Sequence, residues 1–180
     1  MVKPLSQNER KVLKLLIEQG RMKKTEIAKE MGISSQAVKK IKEKLKAEGV
    51  IKGYTVEIDY EKIGVNLFAV ALFKFKSGSW TSLENEDIKK RVKGPHIIRV
   101  YRLSEGDITH IVVYGFRSMK EVENYFQTLQ TERGHISELK KLYVLSSSSI
   151  LKDSPNELLI KVINEMGAEK LARPEKPIDD

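Results

Sequence analysis

The stretch from Thr25 to Tyr54, TEIAKEMGISSQAVKKIKEKLKAEGVIKGY, constrains this chain more than any other. Ile27, Ala28 and Met31 fall at helical spacing, Gly32 breaks the pattern, and Val38, Ile41 and Leu45 resume it after Ser34. Gly32 fits the left-handed residue needed just past a helix, and the Ser34 hydroxyl suits an N-cap because it can accept an orphan amide. The spacing therefore predicts two short helices meeting at a tight turn, which is helix-turn-helix punctuation.

The second of these helices has a face that bears on function. With Val38, Ile41 and Leu45 turned inward, Ser35, Gln36, Lys39, Lys40 and Lys42 lie at or near the outer surface, and Lys46 extends it by a turn. In a helix-turn-helix, the N-terminal residues of this helix meet base edges and lysines farther along reach phosphates. The candidate DNA-contacting set is Ser34, Ser35, Gln36, Lys39, Lys40, Lys42, Lys46 and Lys52. Within it, Ser35, Gln36 and Lys39 are expected at bases, and Lys40, Lys42, Lys46 and Lys52 at phosphates. A solvated lysine face on an ordinary helix is the competing reading. Residues 49–58 favour the first: Gly49 ends the helix, Val50 and Ile51 start a strand, and Lys52-Gly53 turns the chain into the alternating run Tyr54 to Ile58. This hairpin is the expected wing.

Charge is distributed to match. The chain has 180 residues and a formal net charge of +8; residues 1–62 hold 15 Lys and Arg against 9 Asp and Glu, a net of +6. The remainder holds 18 against 16, a net of +2. A basic excess concentrated around the helix-turn-helix points to a polyanionic partner. No basic helix carries the broad apolar, aromatic face of an interfacial membrane anchor. The longest apolar run, Leu67 to Phe73, is too short to span a bilayer, and the first residues lack an apolar signal core, so a cytoplasmic location is expected. The absence of cysteine excludes disulfides, thiolate metal sites and a cysteine nucleophile.

Along the chain, Ser6 and Glu9 form a capping box for a first helix carrying Val12, Leu13, Leu16 and Ile17, with Gly20 at its end. Residues 1–58 are read as the winged domain and 59–66 as a linker. Leu67 to Phe75 is apolar on both faces at its centre, which predicts an internal strand. Gly78 and Ser79 interrupt it, and Ser82 to Lys93 reads as a charged helix with a thin buried face of Leu83, Ile88 and Val92 before Gly94-Pro95. Strands are expected from Ile97 to Leu103 and from Ile108 to Phe116, joined by a Ser104–Asp107 hairpin. A helix starts after Ser118 with Val122, Tyr125, Phe126 and Leu129 inward, then a strand from Ile136 to Leu145. The order β-α-β-β-α-β over residues 67–150 is that of a ferredoxin-like domain. Its helix-free face must be solvated or paired with a partner, and its apolar strand centres favour pairing. Ser146 to Ser149 reads as a solvated loop, residues 151–172 as a helical extension with Leu158, Leu159, Val162 and Ile163, and 173–180 as a disordered tail.

Residues 5 to about 150 resemble the Lrp/AsnC (feast/famine) family of prokaryotic transcriptional regulators. The resemblance rests on Gly20-Arg21, Glu26-Ile27-Ala28, Gly32-Ile33-Ser34, Leu45, Gly49-Val50-Ile51-Lys52-Gly53-Tyr54, Asp59 and Gly64, with the second domain after them. Abundant Lys and Glu without Cys suits an archaeal or thermophilic member. The resemblance implies an α+β protein with an N-terminal winged helix-turn-helix and a C-terminal ferredoxin-like domain of the RAM type. It further implies double-stranded DNA as partner, homodimers that can assemble into octamers, and a small-molecule effector such as an amino acid bound between dimers. Relatives carry Gly-x-Tyr-Asp in the hairpin entering the third strand. Here the matching residues are Gly106, Asp107, Ile108 and Thr109, so Gly106, Asp107 and Thr109 are the candidate effector residues. The extension from about Asn156 lies beyond the usual family end.

Two other functions stay open on sequence alone. A DNA-architectural protein of low specificity would use the same lysines. Siroheme decarboxylases share the fold but carry a histidine-containing motif, whereas His96, His110 and His135 make no helical ligand pair and read as strand-end or surface residues. No residue is assigned a catalytic role, and no cofactor or metal is expected.

Overall fold

The computed structural model describes residues 5–76, 84–104 and 106–168, which divide into two units, one formed by residues up to 57 together with those from 152 on and the other by the residues between. The first unit starts with α1 (Gln7–Glu18), whose capping box forms as expected: the Glu9 amide donates to Ser6 Oγ at 3.3 Å and the Ser6 amide to Glu9 Oε2 at 2.7 Å. α2 (Lys24–Met31) ends on Gly32 at φ +66°, a conformation that glycine adopts without the Cβ penalty. α3 (Ser35–Ala47) begins where the Ser34 hydroxyl accepts the Ala37 amide at 3.1 Å. Val12, Leu16, Ile27, Ala28 and Val38 close the core between the three helices, flanked by Met22, Met31, Ile33 and Ile41. Burying each larger aliphatic side chain contributes roughly 1.5–3 kcal/mol, so this contact, more than helix propensity, holds α3 in place.

The hairpin expected at the wing is not paired among the described residues. No described residue from 51 to 58 lies in a strand. The Ile51 amide instead donates back to Leu45 O at 3.1 Å, and Gly53 stays out of the positive-φ region that a two-residue hairpin turn requires. Val56 and Ile58 are left exposed.

A fourth helix, α6 (Asn156–Ala168), completes this unit. Arg10 Nη1 donates to Met166 O at 3.0 Å, Lys14 Nζ to Asn164 Oδ1 at 2.8 Å, and Asn156 Nδ2 to Ile17 O at 3.4 Å. Ascending numbers on α1 meet descending ones on α6, so the two run antiparallel. Of the four apolar residues expected in this helix only Ile163 is buried; Leu158, Leu159 and Val162 face outward.

The second unit is a four-stranded antiparallel sheet in the order β2-β3-β1-β4, with β1 (Leu67–Phe75), β2 (Ile97–Arg102), β3 (His110–Phe116) and β4 (Ser137–Ser146). Internal β1 registers Leu67 against Phe116 on one side and Ser146 on the other, which explains its two apolar faces. Between strands run α4 (Asn85–Arg91) and α5 (Met119–Arg133). The expected interruption at Gly78 and Ser79 and the helical residues Ser82 and Leu83 lie outside the described residues, as does the expected tail at 173–180. Ala69, Ala71, Phe73, Val112, Tyr114 and Phe116 form one buried face with Val122 and Phe126 of α5. On the other face, Val70, Leu72, Ile111 and Val113 are half-buried, and Tyr101, Tyr143 and Leu145 are exposed.

The serine run is not a simple solvated loop. Ser147–Ser149 makes a 3-10 turn, and buried Ser147 donates to Glu61 Oε1 at 3.0 Å.

Candidate nucleic-acid interface

The outer surface of α3 is ordered by three contacts. Lys39 Nζ lies 3.7 Å from Glu43 Oε1 one turn on. Lys42 and Lys46, also one turn apart, place their ammonium groups 5.3 and 5.2 Å from the centre of the Tyr54 ring. Tyr54 is exposed and comes from the segment expected to form the wing. Cation–π contacts at such exposed positions are worth about 0.5–1 kcal/mol, enough to bias two flexible side chains toward one flank without fixing them. Sequence reasoning placed Tyr54 only as a strand residue and missed this role. The Tyr54 ring following a lysine pair at helical spacing was the available signal.

Gln36, Lys39, Lys40, Lys46 and Lys52 are exposed, and Ser35 and Lys42 are partly covered. Lys40 falls on a different row of the helix from Lys42 and Lys46, four residues before Lys44. Ser34 spends one oxygen lone pair as the N-cap acceptor, which leaves its hydroxyl proton and a second lone pair to offer a ligand.

Lys44 bends back toward α1, although its side chain stays half-exposed. Its ammonium pairs with Glu9 of α1, a carboxylate only 4 % exposed. The Lys44 hydrogen bond first, and the Ser6 amide second, hold the Glu9 carboxyl down at about 2, while Glu9 raises the Lys44 ammonium above its ordinary value. A lysine of α3 thereby clamps that helix to α1.

The turn between β2 and β3 brings Gly106, Asp107 and Thr109 close in sequence but not into one open site. Gly106 takes φ +101°. Asp107 bonds Lys74 and lies 3.4 Å from Lys140; the Lys74 hydrogen bond is the main reason its carboxyl sits below the usual range. Thr109 turns toward the backbone of β1, where its Oγ1 accepts the Phe75 amide at 2.9 Å and donates to Phe73 O at 3.1 Å.

The histidines are placed differently from one another. His135 is exposed, as expected. His96 stacks on Phe116 at 4.7 Å with Nδ1 3.0 Å from Gly115 O. His110 does begin a strand, but it is buried rather than on the surface, because it shares the alternating inner face of β3 with Val112, Tyr114 and Phe116. Among the described residues no group of His, Asp and Glu could hold a metal ion, and no helix is long and apolar enough to cross a membrane.

Comparison with known proteins agrees with this arrangement. Residues 5–52 match the family described as winged helix-turn-helix DNA-binding. An HTH-type transcriptional regulator of Pyrococcus furiosus is 32 % identical over 126 residues, covering 70 % of this chain and 82 % of that protein. The HTH-type transcriptional regulator LrpA of Pyrococcus horikoshii is 32 % identical over 104 residues, 57 % of this chain and 70 % of that protein. Among solved structures, an AsnC family transcriptional regulator from Agrobacterium tumefaciens superposes with a TM-score of 0.66 at 16 % identity, covering 83 % of this chain and 94 % of its own. A Neisseria meningitidis transcriptional regulator in complex with L-Met gives 0.67 at 17 % identity, over 86 % and 99 %. These structural likenesses carry the fold. With the capped helix-turn-helix, the β-α-β-β-α-β sheet and the sequence relatives taken together, the chain belongs to the Lrp/AsnC family of transcriptional regulators.

Proposed function

We propose that this regulator reads a specific duplex sequence with α3 and acts as a homodimer. The observation that carries the reading is the outer face of α3: exposed Gln36 near its start, with Lys42 and Lys46 gathered over Tyr54 on one flank. Ser35, Gln36 and Lys39 meet base edges, where a bidentate contact discriminates by about 1–3 kcal/mol per base. Lys40, Lys42, Lys46 and Lys52 meet phosphates on the two sides of the groove. Lys39 must leave Glu43 to do so, a minor cost because an exposed pair contributes at most about 1 kcal/mol.

The uncovered sheet face supports pairing with a second copy. Half-buried Val70, Leu72, Ile111 and Val113 at its centre, ringed by Tyr101, Tyr143 and Leu145, form an apolar area over which no helix packs among the described residues. A two-fold pair would present two α3 helices to half-sites about one helical turn, or a multiple, apart. An amino-acid effector at the β2–β3 turn would have to exchange its charges with the Lys74–Asp107–Lys140 cluster, so its binding would weaken with salt and with Asp107→Asn.

The deciding experiment is a salt series comparing duplex from the gene's own upstream region with a scrambled duplex. A preference of about a thousandfold supports the sequence-reading regulator. Equal, steeply salt-dependent binding favours a low-specificity architectural protein, and no binding at low salt removes the DNA reading.

A further inference from the structure

The two helices cover the sheet unequally. α5 packs Val122 and Phe126 into the buried face, whereas α4 has only seven residues and contributes Ile88. The shortfall leaves a cavity of about 610 Å3 between the sheet and the helices, within the range of small-molecule sites. Phe75, Val112, Tyr125, Leu129 and Ile136 form part of its wall, and His110 lines it.

His110 is 2 % exposed, and its Nε2 is the one buried side-chain nitrogen or oxygen without a partner among the described residues. Its other nitrogen lies 3.0 Å from Thr109 Oγ1. The Thr109 hydroxyl has a single proton, which goes to Phe73 O, so His110 Nδ1 carries the N–H and donates to Thr109. Nε2 is then a bare acceptor. Burial first, and Arg102 second, lower the affinity of the ring for a second proton and keep it neutral. An unsatisfied buried acceptor costs about 1–3 kcal/mol, and among the described residues no second fully buried side-chain atom lacks a partner that a lone water could bridge to.

We infer that this cavity is a binding site for a small neutral aromatic molecule carrying one N–H or O–H donor, which His110 Nε2 accepts. Aromatic and branched walls select a flat apolar body, and the bare nitrogen selects the donor. The charged lining residues, Lys90, Lys93 and Arg133 against Glu132, are all exposed and so keep their charges in water, and an ion would lose its hydration on entering the apolar interior. The site lies within residues 58–151 and no residue of α3 lines it, so its test needs no DNA.

Indole and 1-methylindole, alike in shape but differing in the donor, are titrated by calorimetry into the full chain and into His110→Leu. Imidazole nitrogen resonances are followed in the wild type. The expected result is at least tenfold tighter binding of indole by the wild type, loss of that preference in His110→Leu, and an upfield move of the Nε2 resonance with indole alone. Equal binding of the two probes, a preference that survives in His110→Leu, or no binding at millimolar indole overturns the inference. So does a ligand-free Nε2 already hydrogen-bonded to a donor of the chain. If His110→Leu does not fold, the wild-type probe ratio and Nε2 shift decide.

Discussion

The outer face of α3 and the outer face of the sheet each lie opposite a buried apolar cluster, yet they differ in what they leave unsatisfied. α3 exposes Gln36 and a set of lysines whose charges gain most from a polyanion and lose that gain as salt rises. The sheet exposes Val70, Leu72, Ile111 and Val113 within a ring of tyrosine and leucine, a surface that gains by leaving water and is nearly indifferent to salt. One salt titration should therefore move the two associations apart.

The largest expected effect is on the sheet. Tyr143 and Leu145 are each 44 % exposed, so Tyr143→Asp with Leu145→Asp should leave the monomer folded while placing charges against their symmetry mates. Dimer dissociation should rise by about a thousandfold, read by light scattering across a dilution series. A dimer that survives both substitutions would break the comparison by removing this face from the assembly.

Lys42→Ala with Lys46→Ala comes next. Losing two phosphate contacts should weaken binding to any duplex about ten- to a hundredfold and flatten the log–log salt slope by about two units. The dimer should be unmoved. Gln36→Ala should act only on the preferred sequence, by about 1–3 kcal/mol, leaving the scrambled duplex and the slope as they were.

The smallest effect separates the lysine paired with α1 from the others. Glu9→Gln removes the partner of Lys44 and should cost about 1–2 kcal/mol at pH 7 in a denaturant titration, discounted because Lys44 is half-exposed. Since the folded carboxyl sits at about 2 and its reference value is 4.5, its contribution is complete above 4.5 and declines as pH falls toward 2. The mutant should therefore converge on the wild type in acid. A salt slope altered in this mutant would show that Lys44 also reaches DNA.

The local rules were legible in the sequence. The Ser6–Glu9 box, Gly32, the Ser34 cap and the β-α-β-β-α-β order each depend on neighbours a few residues away. The wing pairing was not, because alternation in Tyr54 to Ile58 reports compatibility with a strand and not the presence of a partner strand. Lys44 was unreadable for a related reason, since its partner Glu9 lies 35 residues away on another helix. α6 has a broad apolar face that holds Leu158, Leu159, Val162 and Ile163 together, so nothing in its order marked Ile163 over Leu158 as the docking side. The inward side of His110 was available in its two-residue spacing from Val112 and Tyr114, but Ile111 and Val113 hid it by making the other face apolar as well.

The chain leaves the helix-turn-helix unit near residue 57 and re-enters it near residue 152 to lay α6 on α1. In polymer terms the sheet unit is a folded staple closing a loop. While it is folded, the ends of residues 58–151 stay at a fixed separation and α6 docks from a high local concentration. When it unfolds, that segment becomes a long random chain, and closing such a loop costs about 0.6 kcal/mol more for every doubling of its length. Anything that stabilises the sheet, whether a second copy on its open face or a guest beneath α4, therefore also tightens the hold of α6 on the unit that carries α3. That coupling needs no rearrangement of α3.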